Sequence, residues 1–466
     1  MGQNFIADTV NQTLLFPPSL HDWLPEGHLA RFLLDVVSAL DLSAIYTSYQ
    51  EKDVRGQAAY APEMMVRLLL YGYANGVYSS RKIEKRTYED VAFRFLSGDQ
   101  HPDHSTLGEF RKRHLDALAG LFKQALLLCA EAGLVKLGHV AIDGTKIKAN
   151  ASKHKAMSYK RMNETEARLD REVKALMAAA EKTDAEEDAQ YGKDRRGDEL
   201  PDELQRRDSR LQKIREAKKA LEQAAKEKAE HERAEAEQKL AEREEEEQRT
   251  GKKKPGRKPE PHDPEQTKPD DTAQRNFTDP ESRIMPDGGN KGAFVQGYNA
   301  QIAVDSASQV IVAAEVTQET NDKKQLLPMI AQIAINLDQK PEKVSADTGY
   351  FSEANVTDEQ VKDVDLYVAT GRDKHSDAVE TSNDPPPADA SPKETMRSKL
   401  QSEAGRAVYK MRKAIVEPVF GQIKEQRGFR RFSLRGKQNV CREWKLVCAV
   451  SNLLKLFRAG WGLEMA

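Results

Sequence analysis

The chain has 466 residues, of which 38% are hydrophobic and 32% charged, with a net charge of −2. That length carries two or three domains and at least one sizeable core, with more charge than an ordinary globular domain. Its apolar runs all stay well short of the roughly 18 residues that a membrane span needs. Its three cysteines (Cys129, Cys441, Cys448) form no CxxC pair, which points away from a disulfide framework or a structural zinc site.

The first residues, MGQNFIADTVNQTLLFPPSL, have no basic region followed by an apolar run, so no signal peptide is expected. A reducing cytoplasm is the expected compartment. To about Leu137 apolar residues recur at helical spacing, in LARFLLDVVSALDL, PEMMVRLLLYGYANG and LDALAGLFKQALLLCAEAGL, with Gly133 as a stop. Residues 1–137 are therefore expected to form an N-terminal helical, DNA-binding domain. In DHSTLGEFRKRH, Thr106 and Glu109 have the spacing of a capping box. The basic face after it (Arg111, Lys112, Arg113, His114) suits a DNA-reading helix or the surface of a bundle.

Next, Val140–Ile142 predicts a short buried strand running into Asp143-Gly144, which places a carboxylate at a strand end. Residues 155–250 are dominated by Ala, Glu, Lys, Gln and Arg and predict a long charged helix or helical hairpin, interrupted near Tyr191–Pro201. Residues 251–289 read as a Pro- and Lys-rich linker, in which Lys252–Lys254 and Lys258 are candidate phosphate contacts.

From Phe294 the chain predicts an antiparallel hairpin turning at Asp305-Ser306, then a helix that includes Pro328. A strand ending at Asp347 follows, then a further helix and a last strand in VDLYVATGR. An acidic loop (Asp377–Pro392) leads into a basic helix, and an apolar-striped helix closes the chain. From Arg397 to Arg442 thirteen Lys and Arg stand against three acids (Glu403, Glu417, Glu425). A basic block set around acids suits a polyanion with divalent metal at the contact. Residues 138–154 and 290–466 together predict an α/β domain with a mixed sheet.

Cutting and joining DNA needs in-line attack on phosphorus. Two divalent ions held by carboxylates from different elements support it. Asp143 and Asp347 come from strands and Glu417 from a helix. Two residues separate Tyr409 from Arg412, four separate Arg412 from Glu417, and six separate Glu417 from Lys424. Glu417 and Lys424 thus share a face of an unbroken helix, although Pro418 predicts a start or kink there. Rivals remain. Asp305 is a turn residue, Glu403 has the same spacing to Lys410, Glu425 is near, and His101 and His104 are potential ligands.

The segments AIDGTKIKANAS, DPESRIM, FVQGYNAQIAVD, SADTGYFS and the Tyr-Arg-Glu-Lys stretch resemble the DDE transposases of bacterial insertion sequences. The nearest group carries a long charged insertion after the first Asp. The resemblance runs through nearly the whole chain, including PDHSTLGEFRKRH. It implies a ribonuclease H-like fold with Asp143, Asp347 and Glu417 as the catalytic, metal-binding acids. It also implies DNA contacts from Tyr409, Arg412 and Lys424, with Arg427, Arg430 and Arg431 beside them. In related groups three residues separate Arg from Glu, against four here. The implied cofactor is magnesium or manganese, as two ions, and the implied substrate is double-stranded DNA at terminal inverted repeats. A homodimer on DNA and a nucleoid-associated location follow from the same resemblance. The alternatives are a DNA-binding scaffold with structural acids and a metal-dependent nuclease without strand transfer.

Overall fold

The computed structural model describes residues 19–50, 58–191, 202–250, 264, 267–287, 292–371, 387 and 389–460. The N-terminal leader reading, the break before Pro201, the lysines at 252–254 and 258 and most of the acidic loop lie outside them. The chain forms two compact units. One comprises Met1–Thr145, Asn299–Ser433 and Gln438–Ala466; the other comprises Lys146–Tyr298 and Leu434–Lys437.

The first unit begins with helices α1 (Leu29–Ala39), α2 (Ser43–Gln50), α3 (Pro62–Ala74), α4 (Ser80–Glu89), α5 (Val91–Ser97), α6 (His104–Arg113) and α7 (Leu115–Glu131). Pro62 sits in the first turn of α3, where its missing N–H costs nothing. The start of α6 differs from the sequence expectation. Asp103, not Thr106, is the cap: it accepts the Ser105 and Thr106 amides at 2.8 and 3.0 Å, and the Thr106 hydroxyl at 2.6 Å. A carboxylate satisfies two orphan donors at once, so it wins over the hydroxyl three residues later. Strand β1 (Val140–Lys148) follows; its last three residues belong to the second unit.

The second unit holds β2 (Ala156–Ser158), α8 (Tyr159–Tyr191), α9 (Asp202–Thr250), β3 (Gln274–Asn276), β4 (Arg283–Pro286) and the start of β5 (Phe294–Asp305). The charged insertion is a helical hairpin, as its composition predicts. Met162, Leu169 and Val173 of α8 bury themselves against Leu211, Ile214 and Ala217 of α9. Arg215 bridges Glu166 and Asp170 at 3.1 and 2.9 Å across the same pair. Leu176 of α8 and Leu221 of α9 pack against this cluster, a short apolar seam between helices whose remaining residues are mostly charged, which is why the stretch reads as charged rather than as a coiled coil. β4 pairs antiparallel with Phe294–Gly297 of β5.

Returning to the first unit, β5 continues into β6 (Ile311–Thr317) as the expected antiparallel hairpin. Then come α10 (Leu326–Leu337), β7 (Lys343–Ala346), α11 (Glu353–Thr357), β8 (Asp365–Val368), α12 (Pro392–Gln401), α13 (Glu403–Gly421) and α14 (Lys437–Arg458). The sheet order is β6-β5-β1-β7-β8, with β1, β7 and β8 parallel. A helical N-terminal region and a mixed sheet thus share one unit. Helix α14 closes the β6 edge: the buried Asn452 side chain bonds both the amide and the carbonyl of Ile311, at 2.8 and 2.9 Å. Trp444 of α14 is fully buried and donates to the Gln301 carbonyl at 3.1 Å. Among the described residues no helix is long and apolar enough to cross a membrane.

Candidate active site

Asp143 and Asp347 lie abreast. The parallel β1–β7 register runs Val140↔Val344, Ala141↔Ser345, Ile142↔Ala346, and one residue further on each strand come the two acids. The strand does not end at Asp143, as the short apolar run suggested, because β1 runs on to Lys148. Sheet pairing overrides the local turn preference. Each carboxylate is steered by backbone. Asp143 Oδ1 accepts the Gly144 amide, and Asp347 Oδ1 accepts the Gly349 amide at the head of a short 3-10 turn, both at 2.8 Å.

Both glycines stand where side chains crowd the backbone, Gly144 more tightly than Gly349. A Cβ on Gly144 would meet Gln301 Nε2 at 2.3 Å and Asn299 Oδ1 and Asp322 Oδ1 at 3.0 Å each. A Cβ on Gly349 would meet Asp347 Oδ1 at 3.0 Å and Asp322 Oδ2 at 3.3 Å.

Helix α13 supplies the positive charge. The Arg412 guanidinium reaches Asp143 Oδ2 at 3.2 Å, with side chains only 9% and 20% exposed. It also lies over the Tyr409 ring, 5.9 Å from the centroid. Burial raises the Asp143 carboxyl to about 6, and Arg412 pulls in the opposite direction. Burial likewise raises the Tyr409 phenol, with Arg412 lowering it and Asp347 raising it. The structure therefore brings Asp143, Asp347, Tyr409 and Arg412 together.

Pro418 neither starts nor ends α13, which runs from Glu403 to Gly421. A proline cannot bond the carbonyl four residues back. That carbonyl, on Ala414, is met instead by Gln309 Nε2 at 2.9 Å, and Gln309 is held in turn by Lys455 Nζ at 2.9 Å. The helix does not start at Pro418, and the donor that meets the freed carbonyl comes from a side chain more than a hundred residues away.

After Gly421 the helix widens into a π turn, Gln422–Gln426. The shared face of Glu417 and Lys424 presumed an unbroken α-helix, and the wider turn shifts that phase. Lys424 Nζ donates to Thr145 Oγ1 at 3.0 Å, two residues beyond Asp143. Glu417 is exposed, with no hydrogen-bond or ion-pair partner among the described residues. Arg427 is buried, its guanidinium donating to the Val447 carbonyl at 3.5 Å and to the Ser451 hydroxyl. Arg430 is exposed and pairs with Glu425, and Arg431 is exposed.

The rivals have other occupations. Asp305 is fully buried and accepts the Leu137 and Ala307 amides at 2.8 and 2.9 Å, the backbone role expected of a turn residue. His104 Nδ1 pairs with Glu84 at 2.8 Å, and His101 stacks on Tyr88 with centroids 3.9 Å apart. On the basic α6, Arg111 donates to the Tyr78 carbonyl at 2.9 Å and His114 is buried. Among the described residues no three His, Cys, Asp or Glu side chains gather closely enough to hold a metal ion.

Sequence reasoning missed four residues around the paired acids. Asn299 and Gln301 sit on β5 with no exposure, and both amides donate to Asp322 Oδ1, at 2.6 and 2.7 Å. The fully buried Tyr350 donates its hydroxyl to Gln301 Oε1. Burial, then the carboxylates of Asp322, Asp143 and Asp347, hold that phenol well above its ordinary value. The readable signal was YNAQIAV, where two amides alternate on one face of an otherwise apolar strand.

Two acids thus stand abreast on a mixed sheet, with a buried guanidinium on Asp143. Residues 18–113 match the family model of a transposase domain, DUF772, and residues 261–453 match that of the transposase DDE domain. Asp347 and Glu417 fall inside the second match, and Asp143 lies between the two. The chain is a DDE transposase of an insertion sequence, an enzyme that cuts DNA and transfers its strands. The family works with divalent metal ions. No curated protein and no solved structure matches the chain.

Proposed function

We propose that Asp143, Asp347 and Glu417 are the catalytic and metal-binding acids of this transposase, acting at the terminal inverted repeats of its element on a ribonuclease H-like sheet. The observation that carries the reading is the pair Asp143 and Asp347, abreast on neighbouring parallel strands in the centre of the sheet. Numbered along the chain within the first unit, the strand order is 3-2-1-4-5, which supports the fold assignment.

The side chains suit magnesium or manganese. They are hard oxygen donors, and such an ion needs only one or two carboxylates, keeping waters and taking phosphate oxygens for the rest. When bound, two such ions activate the attacking water or 3′ hydroxyl and steady the leaving oxygen. The chain's own residues do the remainder. Asp143 within β1 and Asp347 at the end of β7 are each fixed by backbone and an amide, so little reorganisation is needed. Glu417, exposed on the helix that carries Arg412, is free to engage when DNA arrives. Arg412 and Tyr409 hold Asp143 in place until then.

Lys424, beside Thr145, is positioned for a phosphate near the cut, with Arg430 and Arg431 exposed beyond it. The N-terminal helices of residues 1–137 add DNA contacts in this reading. Two copies hold the two ends, and the work is done on nucleoid DNA in the cytoplasm.

The test is cleavage of DNA bearing the element's ends. Asp143→Asn, Asp347→Asn and Glu417→Gln should each abolish cleavage in magnesium while leaving end binding intact. Full cleavage by any of the three removes that residue from the triad. Lys424→Ala should lower the slope of log affinity against log salt by about one. An unchanged slope removes the phosphate role.

A further inference from the structure

Asp322 lies in the turn between β6 and α10 and stands outside the acids assigned above. Its two oxygens are used unequally. Oδ1 accepts both the Asn299 and Gln301 amides, at 2.6 and 2.7 Å. Oδ2 accepts no hydrogen bond among the described residues. It borders the same point beside Gly349 as Asp347 Oδ1, at 3.3 and 3.0 Å respectively.

Asn299 gives a second, independent sign. It has no exposure, and its Oδ1 is buried without a hydrogen-bond partner. The amide cannot be turned round to relieve this. Its nitrogen already serves the Glu319 carbonyl at 3.2 Å and Asp322 at 2.6 Å, and a flip would set oxygen against both. The orphaned oxygen lies 3.0 Å from where a Cβ on Gly144 would sit, a point that Asp322 Oδ1 also borders at 3.0 Å. A buried acceptor without a donor costs about 1–3 kcal/mol. Set beside carboxylates, it calls for a donor that arrives with a cation.

We infer that Asp322 and Asn299 hold the waters of the divalent ion at Asp143 and Asp347, as outer ligands that the family match does not assign. This rests on the metal reading above. It accounts for a carboxylate oxygen beside Asp347 and a buried amide oxygen that have no hydrogen-bond partner among the described residues. Gln301 and Tyr350 position the pair: the Tyr350 hydroxyl fixes the Gln301 amide, whose nitrogen then fixes Asp322.

The experiment measures Mn2+ binding to the full chain without DNA, by electron paramagnetic resonance of the free ion. Outer-sphere partners of bound metals are typically worth 10–100-fold in affinity. Asp322→Asn keeps shape and Oδ1 while removing the charge, and should weaken Mn2+ binding by at least about 10-fold. Asn299→Ala should weaken it in the same direction. Unfolding of both variants in EDTA checks the fold, and should be close to wild type for Asp322→Asn. Asp143→Asn is the control for the site itself. If Asp143→Asn weakens Mn2+ while Asp322→Asn and Asn299→Ala bind as wild type, the outer-ligand role is overturned and the metal reading stands. If Asp143→Asn also binds as wild type, the metal reading itself falls. Should Asp322→Asn not fold, Asn299→Ala alone decides.

Discussion

Replacing Arg412 with Met removes the charge that neutralises Asp143 while keeping a long apolar stem. Removing one partner of a buried ion pair typically costs 3–5 kcal/mol, because the other charge stays behind uncompensated. Asp143 keeps the Gly144 amide and a side chain 20% exposed, so the lower end applies, about 3 kcal/mol. The neighbouring carboxylate of Asp347 adds repulsion rather than relief. The assay is urea unfolding in EDTA, read as a lower midpoint with unchanged slope. Asp143→Asn combined with Arg412→Met should recover most of the loss, since no uncompensated charge remains. The reasoning is refuted if Arg412→Met unfolds within about 1 kcal/mol of wild type, or if the double variant is no more stable than the single.

Gln309→Ala strips the Ala414 carbonyl of the donor that replaces the one lost to Pro418, and should cost about 1 kcal/mol. Adding Pro418→Ala restores a backbone donor and should return part of it; no rescue in urea unfolding would count against the pairing. Gly144→Ala changes no charge, yet its Cβ would collide with Gln301 Nε2. It should cost about 1–3 kcal/mol in thermal unfolding and abolish cleavage, and a fully active variant would overturn the packing argument. His139 is held below the usual histidine value by burial and then by Lys343, and its Nε2 bonds Ser345 Oγ at 2.8 Å. A depressed folded value means its contribution is complete above the unfolded value, about 6.5, and is lost as pH falls through the folded one. The stability gap between wild type and His139→Gln should narrow from about pH 7.5 to 5.5; a constant gap in urea unfolding would contradict it.

Much of this was legible in residue order. The hairpin after Phe294 alternates strongly, and short apolar runs mark the strands that lead into Asp143 and Asp347, although β1 runs on to Lys148. The insertion's composition admits little but helix. The cap of α6 was misplaced because Asp103 and Thr106 are both cap residues, and only geometry shows which carries the amides. The π turn at Gln422 has no sequence signature, so the face shared by Glu417 and Lys424 was drawn on too regular a helix. Asp322 drew no reading, since nothing local tells a turn carboxylate from one beside another acid.

The sequence by itself determined the helices, the strands, the charged hairpin and the family, because these depend on periodicity, composition and motif order along the chain. Only the tertiary structure decided that Arg412 sits on Asp143, 269 residues away, that Gln309 answers Pro418, and that Asn299 and Gln301 converge on Asp322. Those pairings are fixed by burial. A guanidinium, a freed carbonyl or an amide taken out of water must find a partner in space, and chain order does not say which.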